Sequence, residues 1–291
     1  MSNGTLIRNQ PRAFSLIEIM VAVTLLTVIT VGLLAMFYHT QRAFKIGTSQ
    51  VDVLEGGRAT LRMIALDLQE MYPSRIDQVV NFAAAPSAGP SVTMPLANNK
   101  VMDNLIQDVA FLTRRGNEWF VTSYRVHNVN GAGALYRSVI STNIGTLLTN
   151  GTATTVDRWV AVSNLFLAAT KPAVPSLTNA SNLPFDRIAD GVVHFRVQAY
   201  NDKGLLLVET NTPYARKWNE EYYFTNWVPE HVELELGILD PKGMTQFRAR
   251  EDGVAGKAQT YLEGQGYRTH FFHQRVPIRS RREEFDVFAI R

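Results

Sequence analysis

The spacing of hydrophobic residues along this chain changes character twice. After a polar opening that carries Arg8 and Arg12 and no acid, positions 19–41 contain no Asp, Glu, Lys or Arg. About 20 apolar residues in a helix cross the roughly 30 Å hydrocarbon core of a bilayer, so Ile19–Tyr38 is long enough to span one. The basic residues before it predict a cytoplasmic amino terminus, with the rest of the chain outside. Beyond the span the pattern turns amphipathic: Val51, Leu54, Leu61, Ala65, Leu68 and Tyr72 recur at helical spacing, while Arg58, Arg62, Asp67 and Glu70 mostly fall elsewhere on the wheel. Pro73 supplies the stop, and Gly32, Gly47 and the Gly56-Gly57 pair are points where such a helix bends or frays.

From about residue 74 the period shortens to two and turn residues multiply. Residues 83–99 and 170–184, rich in Ala, Pro, Ser and Asn, read as surface loops. Asp108–Thr113 and Glu118–His127 read as strands joined at Arg115-Gly116-Asn117, and Leu135–Ser141 follows a turn at Asn130-Gly131-Ala132-Gly133. Trp159–Ala168 is a further strand candidate. Val192–Tyr200 with Leu205–Glu209, and His231–Leu239 with Met244–Arg248, read as hairpins around Asn201–Gly204 and Asp240–Gly243. Phe285–Ile290 is placed to close the sheet. The fold class is therefore α+β: a long amino-terminal α-helix, membrane-spanning in its first half, packed on a mostly antiparallel β-sheet head.

Composition adds exclusions. With 46% hydrophobic and 19% charged residues the 291-residue chain is neither disordered nor a multi-span membrane protein. A net charge of +3 does not point to nucleic acid as a partner, and the absence of cysteine removes disulfides, thiol chemistry and thiolate metal sites.

The apolar segment has three readings. A secretory signal has an apolar core of about 7–15 residues and a small-residue cleavage site; here the core is longer, and Met36-Phe37-Tyr38-His39 is a poor site. A plain signal anchor fits the length but leaves Glu18 unexplained. An acid in an apolar helix costs about 2.5–3.5 kcal/mol at the bilayer centre and less near an interface, so it calls for a partner.

The run Arg12-Ala13-Phe14-Ser15-Leu16-Ile17-Glu18-Ile19-Met20 resembles the processing site of type IV prepilins and type II secretion pseudopilins. The resemblance implies a leader, residues 1–13, cut between Ala13 and Phe14 by prepilin peptidase, and N-methylation of Phe14. The residue before the cut is usually Gly in that family and is Ala13 here. Glu18 then takes the role of an assembly residue: its carboxylate neutralises the amine of a neighbouring subunit's Phe14, and two charges that are costly alone are tolerated as a pair. The implied organisation is 1–13 leader, 14–40 transmembrane and assembly helix, 41–73 periplasmic half of the helix, and 74–291 globular head. The run Ile188–Arg196 followed by Tyr200, Trp227, Pro229 and Val232–Leu236 is similar to the larger minor pseudopilins and minor pilins, most like pseudopilin J.

The resemblance implies a structural subunit without cofactor, in the inner membrane with a periplasmic head, whose partners are prepilin peptidase, other pseudopilins or pilins and an inner-membrane assembly platform. Two other classes stay open: a DNA-uptake or adhesion subunit binding through Arg275, Arg279, Arg281 and Arg282, and a signal-anchored periplasmic enzyme. For the last, the chain offers no G-x-S-x-G, H-E-x-x-H or phosphate-loop motif, so no catalytic residue is nominated. His270 and His273, three apart on a strand, would face opposite sides, so no metal ligand set is nominated either. Glu233 and Glu235 share a face near Glu230 and Asp240, where a solvated sheet face is favoured over a calcium site. Trp218, Tyr222, Tyr223, Phe224 and Trp227 form an aromatic cluster that suits a binding surface or a core equally.

Overall fold

The computed structural model describes residues 15–74, 79–87, 91–95, 101–116, 118–142, 185–207, 221–225, 228–251, 256–264 and 268–278. The chain divides into two compact units, residues 1–50 and 51–291. Helix α1 runs Leu16–Gln69, and its two portions have opposite surroundings. In the first unit the large apolar side chains are exposed, from Leu16 at 77% to Phe44 at 74%.

In the second unit the helix buries Val53, Gly57, Thr60, Leu61, Ile64, Ala65 and Leu68. The buried stripe thus begins at Val53; Val51, expected inside, faces solvent at 51% exposure. Asp67, expected on the polar side, is half-buried instead, because it meets a partner on the sheet. Helix α1 ends as Glu70 and Met71 donate to the carbonyls of Asp67 and Leu68, and Tyr72 donates to Leu112 at 2.9 Å, handing the chain to the sheet.

The head is built on β1 (Val80–Pro86), β4 (Gln107–Arg115), β5 (Glu118–Val129), β6 (Ala132–Thr142), β7 (Phe185–Tyr200), β8 (Tyr222–Thr225), β9 (His231–Leu239) and β10 (Thr269–Pro277). They form one sheet in the order β10-β9-β7-β6-β5-β4-β1-β8, every neighbouring pair antiparallel. A separate ribbon pairs β2 (Thr93–Pro95) with β3 (Val101–Asp103), and two short helices, α2 (Pro241–Glu251) and α3 (Lys257–Glu263), follow β9. The α+β expectation is met.

One sheet face packs on α1. Val109 and Phe111 of β4, Tyr124 and Val126 of β5, Phe195 and Val197 of β7 and Leu234 and Leu236 of β9 join Leu61, Ile64 and Leu68 in a single core. Alternation along each strand puts these residues on one side. Gly57 marks the closest approach: a Cβ there would lie 2.3 Å from the Phe272 ring of β10.

Several local expectations need correction. Residues 83–86 are not loop; they belong to β1, with Ala83 and Ala84 buried, because small side chains pack beneath neighbouring aromatics on either face of a sheet. The Asn130 turn is two residues long. Asn130 and Gly131 both have positive φ, 57° and 97°, the tight hairpin geometry that follows strand twist, so β6 begins at Ala132. The Leu205–Glu209 pairing with β7 does form as far as the described residues run: Tyr200 bridges Leu206 in antiparallel, and the Leu207 and Asn201 N–H groups donate to the carbonyls of Ala199 and Leu205 at 2.8 and 3.0 Å, while residues 208 and 209 lie outside the described residues.

Met244–Arg248 is helical, not extended. Asp240 caps α2, accepting from the Gly243 N–H at 2.5 Å, and Pro241 sits at the first helical position, where its missing N–H costs nothing. Trp159–Ala168, residues 170–184 and Phe285–Ile290 lie outside the described residues.

Candidate functional site

The amino-terminal end of α1 carries the site that the sequence singles out. Ala13 and Phe14 lie outside the described residues. Ser15 caps the helix: its Oγ accepts from the Glu18 N–H at 3.2 Å and its carbonyl from Glu18 and Ile19 at 3.0 and 3.3 Å. Glu18 is the acid of the first turn, where the exposed N–H groups of a helix favour negative charge. It is exposed and has no partner among the described residues. Ser15 is a site residue that the motif reading passed over, although Ser15-x-x-Glu18 is a legible capping signature.

Behind Glu18 the helix surface is almost entirely apolar, and its few hydroxyls are turned inward. Thr24, Thr27, Thr30 and Thr40 donate to the carbonyls of Val21, Val23, Leu26 and Met36 at 2.8, 2.7, 2.8 and 2.9 Å. A hydroxyl satisfied by its own helix asks nothing of the surroundings, which is what an apolar solvent requires. This is the one helix among the described residues long and apolar enough to cross a membrane, and it fits a membrane anchor.

The head keeps its ionisable groups in structural pairs. Glu233 accepts from the Tyr200 hydroxyl at 2.8 Å with His273 3.8 Å away. Glu235 accepts from His194 at 3.2 Å and Arg196 at 3.4 Å, and the His194 hydrogen bond, with Arg196 beside it, holds the Glu235 carboxyl below the usual range. Asp240 is occupied as the α2 cap, so Glu233, Glu235 and Asp240 serve separate partners. His270 and His273 face opposite sides of β10, as strand alternation demands.

His231 stacks on Tyr200 with ring centroids 4.9 Å apart and approaches Arg275. Burial, and then the Arg275 charge, push its pKa down. Among the described residues no group of three or more His, Asp or Glu is placed to hold a metal ion.

Of the aromatic cluster, Tyr222 and Phe224 are core residues and Tyr223 is exposed; Trp218 and Trp227 lie outside the described residues, as do Arg279, Arg281 and Arg282. A cleft of about 310 Å³ opens among Val53, Gly56, Ile188, Gly191, Leu239 and Met244. Two of its polar groups are committed, the Thr60 hydroxyl to the Gly56 carbonyl and Asp190 to Arg187 and Arg248, and a third, Asp52, is exposed at the rim.

Two further ionic contacts anchor the head. Asp67 of α1 accepts two hydrogen bonds from Arg137, at 2.7 and 3.1 Å, and a third from the Tyr124 hydroxyl. Burial and the Asp67 charge push the Tyr124 pKa well above its usual value, and the Asp67 hydrogen bond keeps Arg137 charged. On the opposite face Asp108 lies across from Arg125, 3.9 Å away, with one carboxyl oxygen buried and unpaired. Burial outweighs Arg125 and raises the Asp108 pKa to about 6.

Comparison with known proteins bears on the amino-terminal end. Residues 8–34 match the family model described as the prokaryotic N-terminal methylation motif. No curated protein matches the chain, and no solved structure does. The motif supports a type IV pilin-like chain of the class processed by prepilin peptidase and assembled with other pilins, a class that is structural rather than enzymatic.

Proposed function

We propose that this chain is a minor pseudopilin or pilin-like structural subunit, cut between Ala13 and Phe14, methylated on Phe14 and built into a type II secretion pseudopilus or a type IV pilus in a tip or priming role. The observation that carries the reading is the methylation motif over residues 8–34. The surroundings of that motif support it. A capped helix start presents Glu18 in the first turn, and the apolar surface behind it has no cover within its own unit.

Inserted in the inner membrane with the head in the periplasm, α1 keeps its apolar surface in lipid until subunits associate; in the assembly the same surface packs against neighbouring helices. Glu18 then pairs with the amine that cleavage creates on the next subunit, which sets the register. The head, similar in sequence order to pseudopilin J, presents the surface that neighbouring subunits or cargo meet.

The test is the mass of the amino-terminal peptide from cells with and without prepilin peptidase. The expected result is a peptide beginning at methylated Phe14 only where the peptidase is present, with Glu18→Ala processed normally but absent from assembled filaments. An intact Met1 or Ser2 start in both strains would sink the reading and leave a signal-anchored protein.

A further inference from the structure

His194 is buried to 2% exposure in the middle of the sheet, and the site around it is built to take its ring. It follows a register shift in β7 between Val192 and His194 and lies opposite Gly237 of β9. A Cβ at Gly237 would lie 2.9 Å from the His194 Cβ and 3.0 Å from the Phe271 ring, so only glycine leaves the room. Phe271 of β10 packs edge-on at 6.0 Å.

The hydrogen bonds fix the tautomer. Nδ1 lies 3.1 Å from the Leu105 backbone nitrogen. A peptide N–H only donates, so Nδ1 accepts and the ring proton sits on Nε2, which donates to Glu235 Oε2 at 3.2 Å.

The neutral ring is thus fully matched, with one acceptor and one donor in use. A second proton has a single place to go, Nδ1, where it would face the Leu105 N–H, donor against donor. The charged groups that face the ring are Glu235 on β9 and Arg196 on β7, the latter 3.4 Å from the same carboxylate oxygen; the titratable His273 of β10 is in register with Glu235 and lies 3.8 Å from Glu233. Phe271 on β10 and Asn104 and Gln107 beside Leu105 carry no charge. Glu235 makes the imidazolium tolerable, but the Leu105 bond does not survive its formation.

That bond belongs to a joint. Residues 104–107 connect the β2–β3 ribbon to β4 and run beside the far half of β7. Leu105 O accepts from Phe195 N at 2.8 Å, Ile106 bridges Phe195 in parallel, and the Asn104 amide donates to the Gly131 and Val193 carbonyls at 2.9 Å each. Among the described residues, the His194 ring is the titratable partner of this joint.

We propose that His194 is a pH-sensitive latch: its neutral ring holds residues 104–107 on β7, and its protonation releases Leu105 and loosens the joint between ribbon and sheet. The inference does not depend on the assembly role of α1.

The test is hydrogen exchange at the Leu105 amide in the full chain in detergent micelles, corrected for intrinsic exchange and followed between pH 8 and pH 5. Protection in the wild type is expected to fall on the order of tenfold toward pH 5. His194→Asn, whose Oδ1 supplies the same acceptor and does not titrate, should stay protected throughout. In Glu235→Gln, which removes the counter-charge and leaves the acceptor in place, the transition should move to lower pH. Protection that is flat in the wild type, that is lost equally in His194→Asn, or whose midpoint is unmoved in Glu235→Gln would overturn the latch.

Discussion

Residues 16–46 and residues 51–69 of α1 are one helix put to two opposite uses. In the first stretch the apolar side chains point outward and the hydroxyls bond back to their own carbonyls. In the second the apolar side chains point into the head, and a half-buried carboxylate, Asp67, binds an arginine and a tyrosine of the sheet. The helical period is the same, so the difference lies in which atoms must be satisfied by something outside the helix. The first stretch needs an apolar environment and makes no polar demands. The second carries its environment with it, and its polar demands are met by named residues.

The sharpest way to break this contrast is at Asp67. Asp67→Asn leaves Arg137 facing a neutral amide in a mostly buried setting, and loss of one partner of such a pair costs about 3–5 kcal/mol. Thermal unfolding of the full chain in micelles should show a large drop in the head transition, whereas Leu25→Ala in the exposed stretch should leave that transition in place. An equal drop for both would mean that the head depends on the membrane half of the helix.

The second experiment makes the same substitution in both stretches. Gly57→Ala drives a Cβ into the Phe272 ring and should cost about 1–3 kcal/mol by overpacking. Gly32→Ala meets nothing within 4 Å and should leave head unfolding unchanged, or raise helix stability by up to about 1 kcal/mol. If Gly57→Ala proved neutral in the same melts, the contact between α1 and β10 would have to be looser than described.

The smallest effect is a pH dependence confined to the head. The Asp108 pKa is raised from 3.8 to about 6, so the folded state holds this proton more tightly than the unfolded one. The stability it contributes is complete below pH 3.8 and is lost as pH rises through about 6. With the side chain 31% exposed, the loss should be on the order of 1–2 kcal/mol. Asp108→Asn should remove that slope from urea titrations between pH 4 and pH 7, and an unchanged slope would assign it to another group.

Much of the molecule is legible residue by residue where the physics is local. The run 19–41, the stop at Pro73, the Asn201–Gly204 turn and the cap signature at Ser15 and Glu18 all act within a few residues. The α2 start is local too: Asp240 as a cap and Pro241 as the first helical residue are a helix signal as well as a turn signal. Pairing is different. That β9 pairs along β7, and that β8 closes against β1, depends on which strands bury the most surface together, and every strand here has several acceptable partners in sequence.

The amino-terminal site therefore belongs to the sequence: a helix start, an acid and an apolar surface are defined by neighbours a turn apart. Asp67 against Arg137 and His194 against Leu105, separated by 70 and 89 positions, belong to the tertiary structure. A buried polar group is acceptable only once its partner is delivered to it, and only the assembled sheet, with a glycine at 237 to leave the space, makes that delivery.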